Sequence, residues 1–237
     1  MSTASLITWF QRHLYAIFVV AILAVAIGTR FFQLGNVPPG LTWDEAAVAY
    51  NGYAVTTTRR DEWLQFLPIS FQSFGDYKAP AMMYLTGPLI AAFGFNVVVF
   101  RSIFAISGVF SVIAVMILGR WIGAYIWSDT HTNVKEHSER FTASERMELL
   151  AGLFMALSPW HLHFSRVGFE SGIALTLLLW GLIALWRWTQ LRGLVAKGAW
   201  PDWIAVVVSN SIDKKELSGL WLTLTGLLWV GAMYSYH

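Results

Sequence analysis

Long runs of apolar residues are the feature that most constrains what this chain can fold into. Residues 14–34 read LYAIFVVAILAVAIGTRFFQL, and comparable runs recur at 98–119, 149–164, 171–186 and 217–233. A helix needs about 20 apolar residues to cross the hydrocarbon core of a bilayer. Only 13% of the residues are charged, whereas soluble domains carry about 25%. The sequence therefore predicts an all-α polytopic membrane protein with about five transmembrane helices.

The rest of the composition excludes several classes of function. The chain has no cysteine, so disulfides and thiolate metal sites are ruled out. Its net charge of +2 gives no support for a nucleic-acid partner. Lysine and arginine serve better as indicators of membrane orientation, because they are enriched in cytoplasmic loops.

The basic residues predict an orientation in the plasma membrane. The polar segments 120–148 and 187–216 are rich in lysine and arginine, so we expect both loops and the N-terminus in the cytoplasm. Residues 35–97 then form an external loop. A capping box at Thr42–Glu45 predicts an interfacial helix, and a second short helix is expected at about 80–94.

Two acidic spots fall on the same predicted external side, and they are the catalytic candidates. Asp44 could accept a proton from an attacking hydroxyl, or could simply favour the first turn of a helix. Glu45 is a direct participant or only the reciprocal member of the capping box. Glu170 orients an acceptor, binds a metal, or pairs with Arg166 four residues earlier.

Basic residues on the external side need a reason of their own, and phosphate binding supplies one. Lys78 and Arg101 are the candidates, and the alternative is that both side chains reach toward lipid headgroups. His161 and His163 with Glu170 could hold a metal, but no metal site is assigned. A divalent metal cofactor is left open.

The order of these residues resembles the membrane GT-C glycosyltransferases, in particular the protein O-mannosyltransferase and aminoarabinose transferase group. The matching elements are Asp44-Glu45, the stretch Tyr77-Lys78-Ala79-Pro80, Phe100-Arg101-Ser102, Ser158-Pro159 with Ser165-Arg166 and Glu170, and the final Tyr-Ser-Tyr-His. Two positions depart from the family pattern, Ala79 in place of a proline and Glu170 in place of the usual aspartate. The resemblance runs over nearly the whole chain.

The resemblance implies a reaction and a set of roles. The enzyme would transfer a hexose or pentose from a polyprenyl-phosphate donor in the cell envelope, with inversion, to a protein, lipid or glycan acceptor. Asp44, Glu45 and Glu170 would be catalytic, and Lys78, Arg101, Arg166 and Tyr77 would bind substrate. Because family members have more spans, residues 1–237 would form the N-terminal part of a GT-C fold. The chain would then be either a truncated reading frame or one half of a split protein whose C-terminal half is encoded separately.

Two other readings stay open at this point. A transporter or flippase of a lipid-linked precursor would also use basic residues and aromatic loops, but it predicts charges within the spans. A non-catalytic fragment is the third reading. The sequence identifies neither the sugar nor the acceptor.

Overall fold

The computed structural model describes residues 3–128, 141–194 and 214–235. These residues form eight helices and one short hairpin: α1 (Thr3–Phe31), α2 (Trp43–Thr58), β1 (Phe71–Ser73), β2 (Asp76–Lys78), α3 (Ala81–Phe93), α4 (Val97–Ser128), α5 (Ala143–Leu157), α6 (Pro159–Phe164), α7 (Glu170–Leu191) and α8 (Lys214–Ser235). The architecture is that of an all-α protein, as the apolar runs predict.

Three helices in the described part of the chain are long and apolar enough to cross a membrane. They contain the segments His13–Phe31, Val97–Trp127 and Glu170–Leu191. This agrees with a helical membrane protein, while the count of about five spans and their orientation stay predictions. Helices α2 and α3 occupy the predicted 35–97 loop, and α3 is apolar but only 13 residues long.

The run at 149–164, predicted as one span, is divided in the structure. Helix α5 ends at Leu157, and Ser158 adopts φ −58° and ψ 116° before α6 begins at Pro159. The residue before a proline is disfavoured in the helical region, and proline at the first helical position suits a new start. The Ser158 hydroxyl accepts a hydrogen bond from the His161 N–H, so this serine ends one helix and caps the next.

Helical structure also extends into both predicted cytoplasmic loops. Helix α4 continues to Ser128 and α7 to Leu191, so the loops predicted at 120–148 and 187–216 each begin as helix. Residues 129–140 and 195–213, which make up much of these loops, lie outside the described residues.

A β-hairpin lies between α2 and α3, where only a loop was expected. Its strands pair antiparallel, with Phe71 opposite Lys78 and Gln72 opposite Tyr77. Phe71 is fully buried, so the hairpin is packed onto the protein by this ring. Lys78, the last residue of the hairpin, lies beside the start of α2.

Three apolar clusters in the described part of the chain hold the helices together. One joins α2, α3, α4 and α7, and its buried members are Val48, Ala49, Val55, Phe71, Met82, Met83, Ile90, Phe100, Phe104 and Ile173. A second joins α1, α4 and α5, and a third joins α4 and α7. Helices α2 and α3 approach so closely that a Cβ atom added at Gly87 would lie 2.1 Å from the carbonyl oxygen of Gly52. The first cluster lies beneath the beginning of α2 and so fixes the candidate site.

Candidate functional site

Asp44 and Lys78 form an ion pair at the start of α2. The Lys78 Nζ atom lies 2.5 Å from Asp44 Oδ1, and the side-chain exposures are 6% for Lys78 and 50% for Asp44. The predicted capping box exists: the Thr42 hydroxyl accepts from the Glu45 N–H, and Glu45 accepts from the Thr42 N–H. This cap fixes the first turn of α2 and therefore the direction of the Asp44 side chain. The pair presents an anion to the surface with a cation directly behind it.

Glu45 points the opposite way, into the protein, where its carboxylate is fully buried. Arg101 binds it with two hydrogen bonds, Nε to Oε1 at 2.8 Å and Nη2 to Oε2 at 2.9 Å. The backbone N–H groups of Thr42 and Gly168 also donate to it, each at 2.9 Å. Burial alone would raise the pKa of Glu45, but the hydrogen bonds from Arg101, Thr42 and Gly168 outweigh burial and lower it. Glu45 is therefore a buried carboxylate that joins three parts of the chain.

Arg101 uses its remaining donors on the loop between α1 and α2. Its Nη1 donates to the carbonyl oxygens of Leu34 at 3.3 Å and Pro38 at 2.8 Å, and its Nη2 donates to Gly40 at 2.6 Å. The guanidinium is fully buried among these partners. The structure thus gives Arg101 a positioning role, and its predicted contact with a donor phosphate stays a prediction.

Arg166 holds the same loop from another side. It donates to the carbonyl oxygens of Thr29, Phe32 and Val37, the first of which belongs to the last turn of α1. Burial, together with the positive charge of nearby Arg101, lowers the pKa of the Arg166 guanidinium from its ordinary value. Two arginines therefore fix the α1–α2 loop through backbone carbonyls, and this loop leads directly into Asp44.

The last two predicted site residues lie on neighbouring elements. Tyr77 is exposed on strand β2, one position before Lys78. Glu170 is the first residue of α7 and is half-buried. It follows Gly168 by two residues, and Gly168 donates to Glu45, so α7 begins beside the first turn of α2. The substrate role of Tyr77 and the catalytic role of Glu170 stay predictions.

One buried polar pair was not predicted from the sequence. Arg30, fully buried near the end of α1, lies 2.8 Å from His161, measured from Nη2 to Nδ1. It also donates to the carbonyl oxygens of Ala26, Met155 and Ala156. A charged residue inside an apolar span is the sequence feature that could have indicated it.

The histidine metal site that the sequence left open as an alternative is not assembled in the described residues. His161 is committed to Arg30, and His163 is exposed on α6. Across residues 3–128, 141–194 and 214–235, no three histidine, cysteine or acidic side chains come together as a group that could hold a metal ion.

A second buried polar cluster joins α1, α4 and α5. Glu148 accepts from the Tyr15 hydroxyl at 2.8 Å and from Arg120 Nη1 at 3.0 Å. The Arg120 guanidinium also lies 5.7 Å from the centre of the Tyr15 ring. Each charge has a partner, which is the usual condition for keeping ions among apolar helices.

Comparisons with known proteins leave the family unassigned. No family model, no curated protein and no solved structure matches the chain.

Proposed function

We propose that this protein is an inverting glycosyltransferase that uses a polyprenyl-phosphate sugar as donor at the external face of the membrane. The observation that supports the proposal most strongly is the Asp44–Lys78 pair, in which a half-exposed carboxylate touches a buried ammonium. Glycosyl transfer from a lipid phosphate needs both charges, an anion to receive a proton and a cation to stabilise the departing phosphate.

The reaction moves one proton and exchanges one bond. The acceptor hydroxyl gives its proton to Asp44 while its oxygen forms a bond to the anomeric carbon. The bond from that carbon to the phosphate oxygen breaks on the opposite face, and its electron pair leaves with the polyprenyl phosphate. Phosphate is already a good leaving group, so it needs charge stabilisation and no proton.

Lys78 links the two halves of this reaction. In the free protein its ammonium is bound to Asp44. When a donor phosphate arrives, Lys78 exchanges the carboxylate for the phosphate, and the carboxylate becomes available to the acceptor hydroxyl. Charge-assisted hydrogen bonds to phosphate are strong in a water-poor site, which favours this exchange.

Glu45, Arg101 and Arg166 support the site from inside. They fix the first turn of α2 and the loop before it, and catalytic groups need such precise placement. A structural ion pair without catalysis is the competing interpretation of Asp44 and Lys78.

The assay for this proposal is release of polyprenyl phosphate from a panel of polyprenyl-phosphate sugars, in membranes containing the protein expressed from its complete locus. Asp44→Asn is expected to lower the rate of release by about 10²–10⁴-fold, and Lys78→Met is expected to weaken release. Asp76→Asn is the matched control, because Asp76 is an exposed acid on strand β2, two positions before Lys78. Equal rates in native protein and Asp44→Asn, at matched protein amounts, would refute the catalytic role of Asp44.

A transporter of a lipid-linked precursor is the second candidate. The buried pairs Arg30–His161 and Arg120–Glu148 favour it, because ionisable groups between membrane helices often mark transport pathways. Movement of an intact labelled donor across proteoliposomes, without release of polyprenyl phosphate, would select this function over the transferase.

A further inference from the structure

The segment 59–69, between α2 and the hairpin, turns large apolar side chains outward. We refer to it as the interface loop. The exposed fraction is 81% for Ile69, 70% for Leu64 and 63% for Phe66, and Trp63 is also exposed. With Leu67, five large apolar side chains are exposed within seven residues. They form a concentrated patch, and such patches mark interaction surfaces.

The backbone of the interface loop is held from within. The buried Asp61 carboxylate accepts from the N–H groups of Trp63 at 2.9 Å and Gln65 at 2.8 Å. The Leu67 N–H donates to the Arg59 carbonyl at 3.0 Å. The outward direction of the apolar side chains therefore belongs to a defined conformation.

This internal pairing suits a nonpolar environment. The Arg60 guanidinium donates to the Leu64 carbonyl at 2.6 Å, and the Asp61 N–H donates to the Gln65 carbonyl at 3.2 Å. Backbone groups that enter the edge of a bilayer need such partners, because water is scarce there. The loop thus pairs several of its backbone N–H and carbonyl groups internally and shows apolar side chains on its outer side.

Charge and location identify the partner. Arg59 and Arg60 are both exposed beside the apolar patch, where Glu62 is the one exposed acid of the segment, so the exposed charge is positive in excess. Arginines with tryptophan at one surface are typical of the membrane–water interface. The loop leads through the hairpin into α3, which packs against the candidate span α4. It is therefore attached beside the helices that would lie in the bilayer.

We propose that the interface loop inserts Trp63, Leu64, Phe66 and Ile69 into the boundary between headgroups and acyl chains, in the leaflet on its own side of the membrane. Arg59 and Arg60 then contact anionic phosphate headgroups. The insertion anchors the loop that ends at Lys78 and holds it at the membrane surface. It requires no particular reaction at the Asp44–Lys78 pair, so it can be tested apart from the proposed transferase activity.

The natural absence of cysteine makes a direct test available. Spin labels are attached to Leu64→Cys, Phe66→Cys and Ile69→Cys in the full chain, reconstituted in nanodiscs of phosphatidylcholine and phosphatidylglycerol. Gln65→Cys, an exposed polar position between two of them, is the matched control. Power saturation with oxygen and with a water-soluble nickel chelate reports the depth of each label.

The three apolar positions are expected to lose access to the nickel chelate while keeping access to oxygen, whereas Gln65→Cys stays open to the chelate. Omitting phosphatidylglycerol is expected to move the three labels toward water, because the arginines lose their anionic partners. Each side chain is exposed, and the three positions report separately, so failure of one variant to fold leaves two readouts.

Chelate access at all three positions equal to that at Gln65 would overturn the insertion. Spin–spin broadening that disappears on dilution with unlabelled protein would overturn it in favour of a second copy of the chain. Burial that develops only after an acceptor protein is added would assign the surface to that protein. Label depths that stay the same without phosphatidylglycerol would refute the contact of Arg59 and Arg60 with anionic headgroups.

Discussion

The buried pair Glu45–Arg101 is expected to be the most sensitive point of the fold outside the apolar core. Arg101→Met removes both hydrogen bonds to Glu45 and the donors to the carbonyl groups of Leu34, Pro38 and Gly40. A buried carboxylate is then left with only two backbone donors. Breaking a buried ion pair in this way costs about 3–5 kcal/mol, so we expect a loss of that size in the free energy of unfolding.

A double-mutant cycle separates the pair from its surroundings. Glu45→Met alone leaves the Arg101 charge buried, whereas Glu45→Met with Arg101→Met leaves no unpaired charge. We therefore expect the double variant to lose less than the sum of the single losses, with a coupling of about 1–3 kcal/mol. Arg101→Met should still be the costlier single change, because only Arg101 also binds the α1–α2 loop.

Reversible unfolding in mixed detergent micelles, followed by fluorescence of the 13 tryptophans, gives the required free energies. Arg59→Met is the control, because Arg59 is exposed and surface changes usually cost less than about 0.5 kcal/mol. Single losses below about 1 kcal/mol, or losses that add within about 0.5 kcal/mol, would refute the assignment of Glu45 and Arg101 as a coupled buried pair.

The other predictions concern acid and close packing. The pKa of Glu45 is lowered in the folded protein. The ionised carboxylate therefore contributes fully to stability above its pKa in the unfolded chain, about 4.3. This contribution is lost as the pH falls through the lower pKa of the folded protein. Thermal unfolding midpoints between about pH 7 and pH 3 should therefore fall less steeply in Glu45→Gln than in the native protein; equal slopes would contradict this. Gly87→Ala should lower the free energy of unfolding by about 1–3 kcal/mol, because the new methyl group meets α2. Gly28→Ala, which meets no atom within 4 Å, is its control, and similar losses in both would contradict the close α2–α3 contact.

Local rules predicted the parts of the fold that depend on local chemistry. The Thr42–Glu45 capping box is present as the sequence indicated, and α2 begins directly after Thr42. Helix α3 covers Ala81–Phe93 where a short helix at about 80–94 was predicted. In each case the residues that decide the boundary are neighbours in sequence, so their hydrogen bonds can be anticipated without knowing the fold.

Contacts between distant residues could not be predicted in the same way. The capping role of Glu45 was visible, but its partner Arg101 lies 56 positions away, and no local pattern connects them. The same holds for Arg166, which the sequence offered as a partner of Glu170 and which donates to carbonyl groups in the last turn of α1 and in the α1–α2 loop. The break between α5 and α6 at Ser158 was not predicted, because the prediction of one span followed the apolar composition of 149–164 and not the signal from Pro159.

The proposed function depends most directly on the charge of one carboxylate. The decisive measurement is the initial rate of polyprenyl phosphate release by native protein and by Asp44→Asn, side by side, in the same membranes and with the same donor. Loss of a general base lowers rates by about 10²–10⁴-fold, so we expect a loss in that range for Asp44→Asn and no loss for Asp76→Asn. Release at the native rate by Asp44→Asn would contradict this expectation.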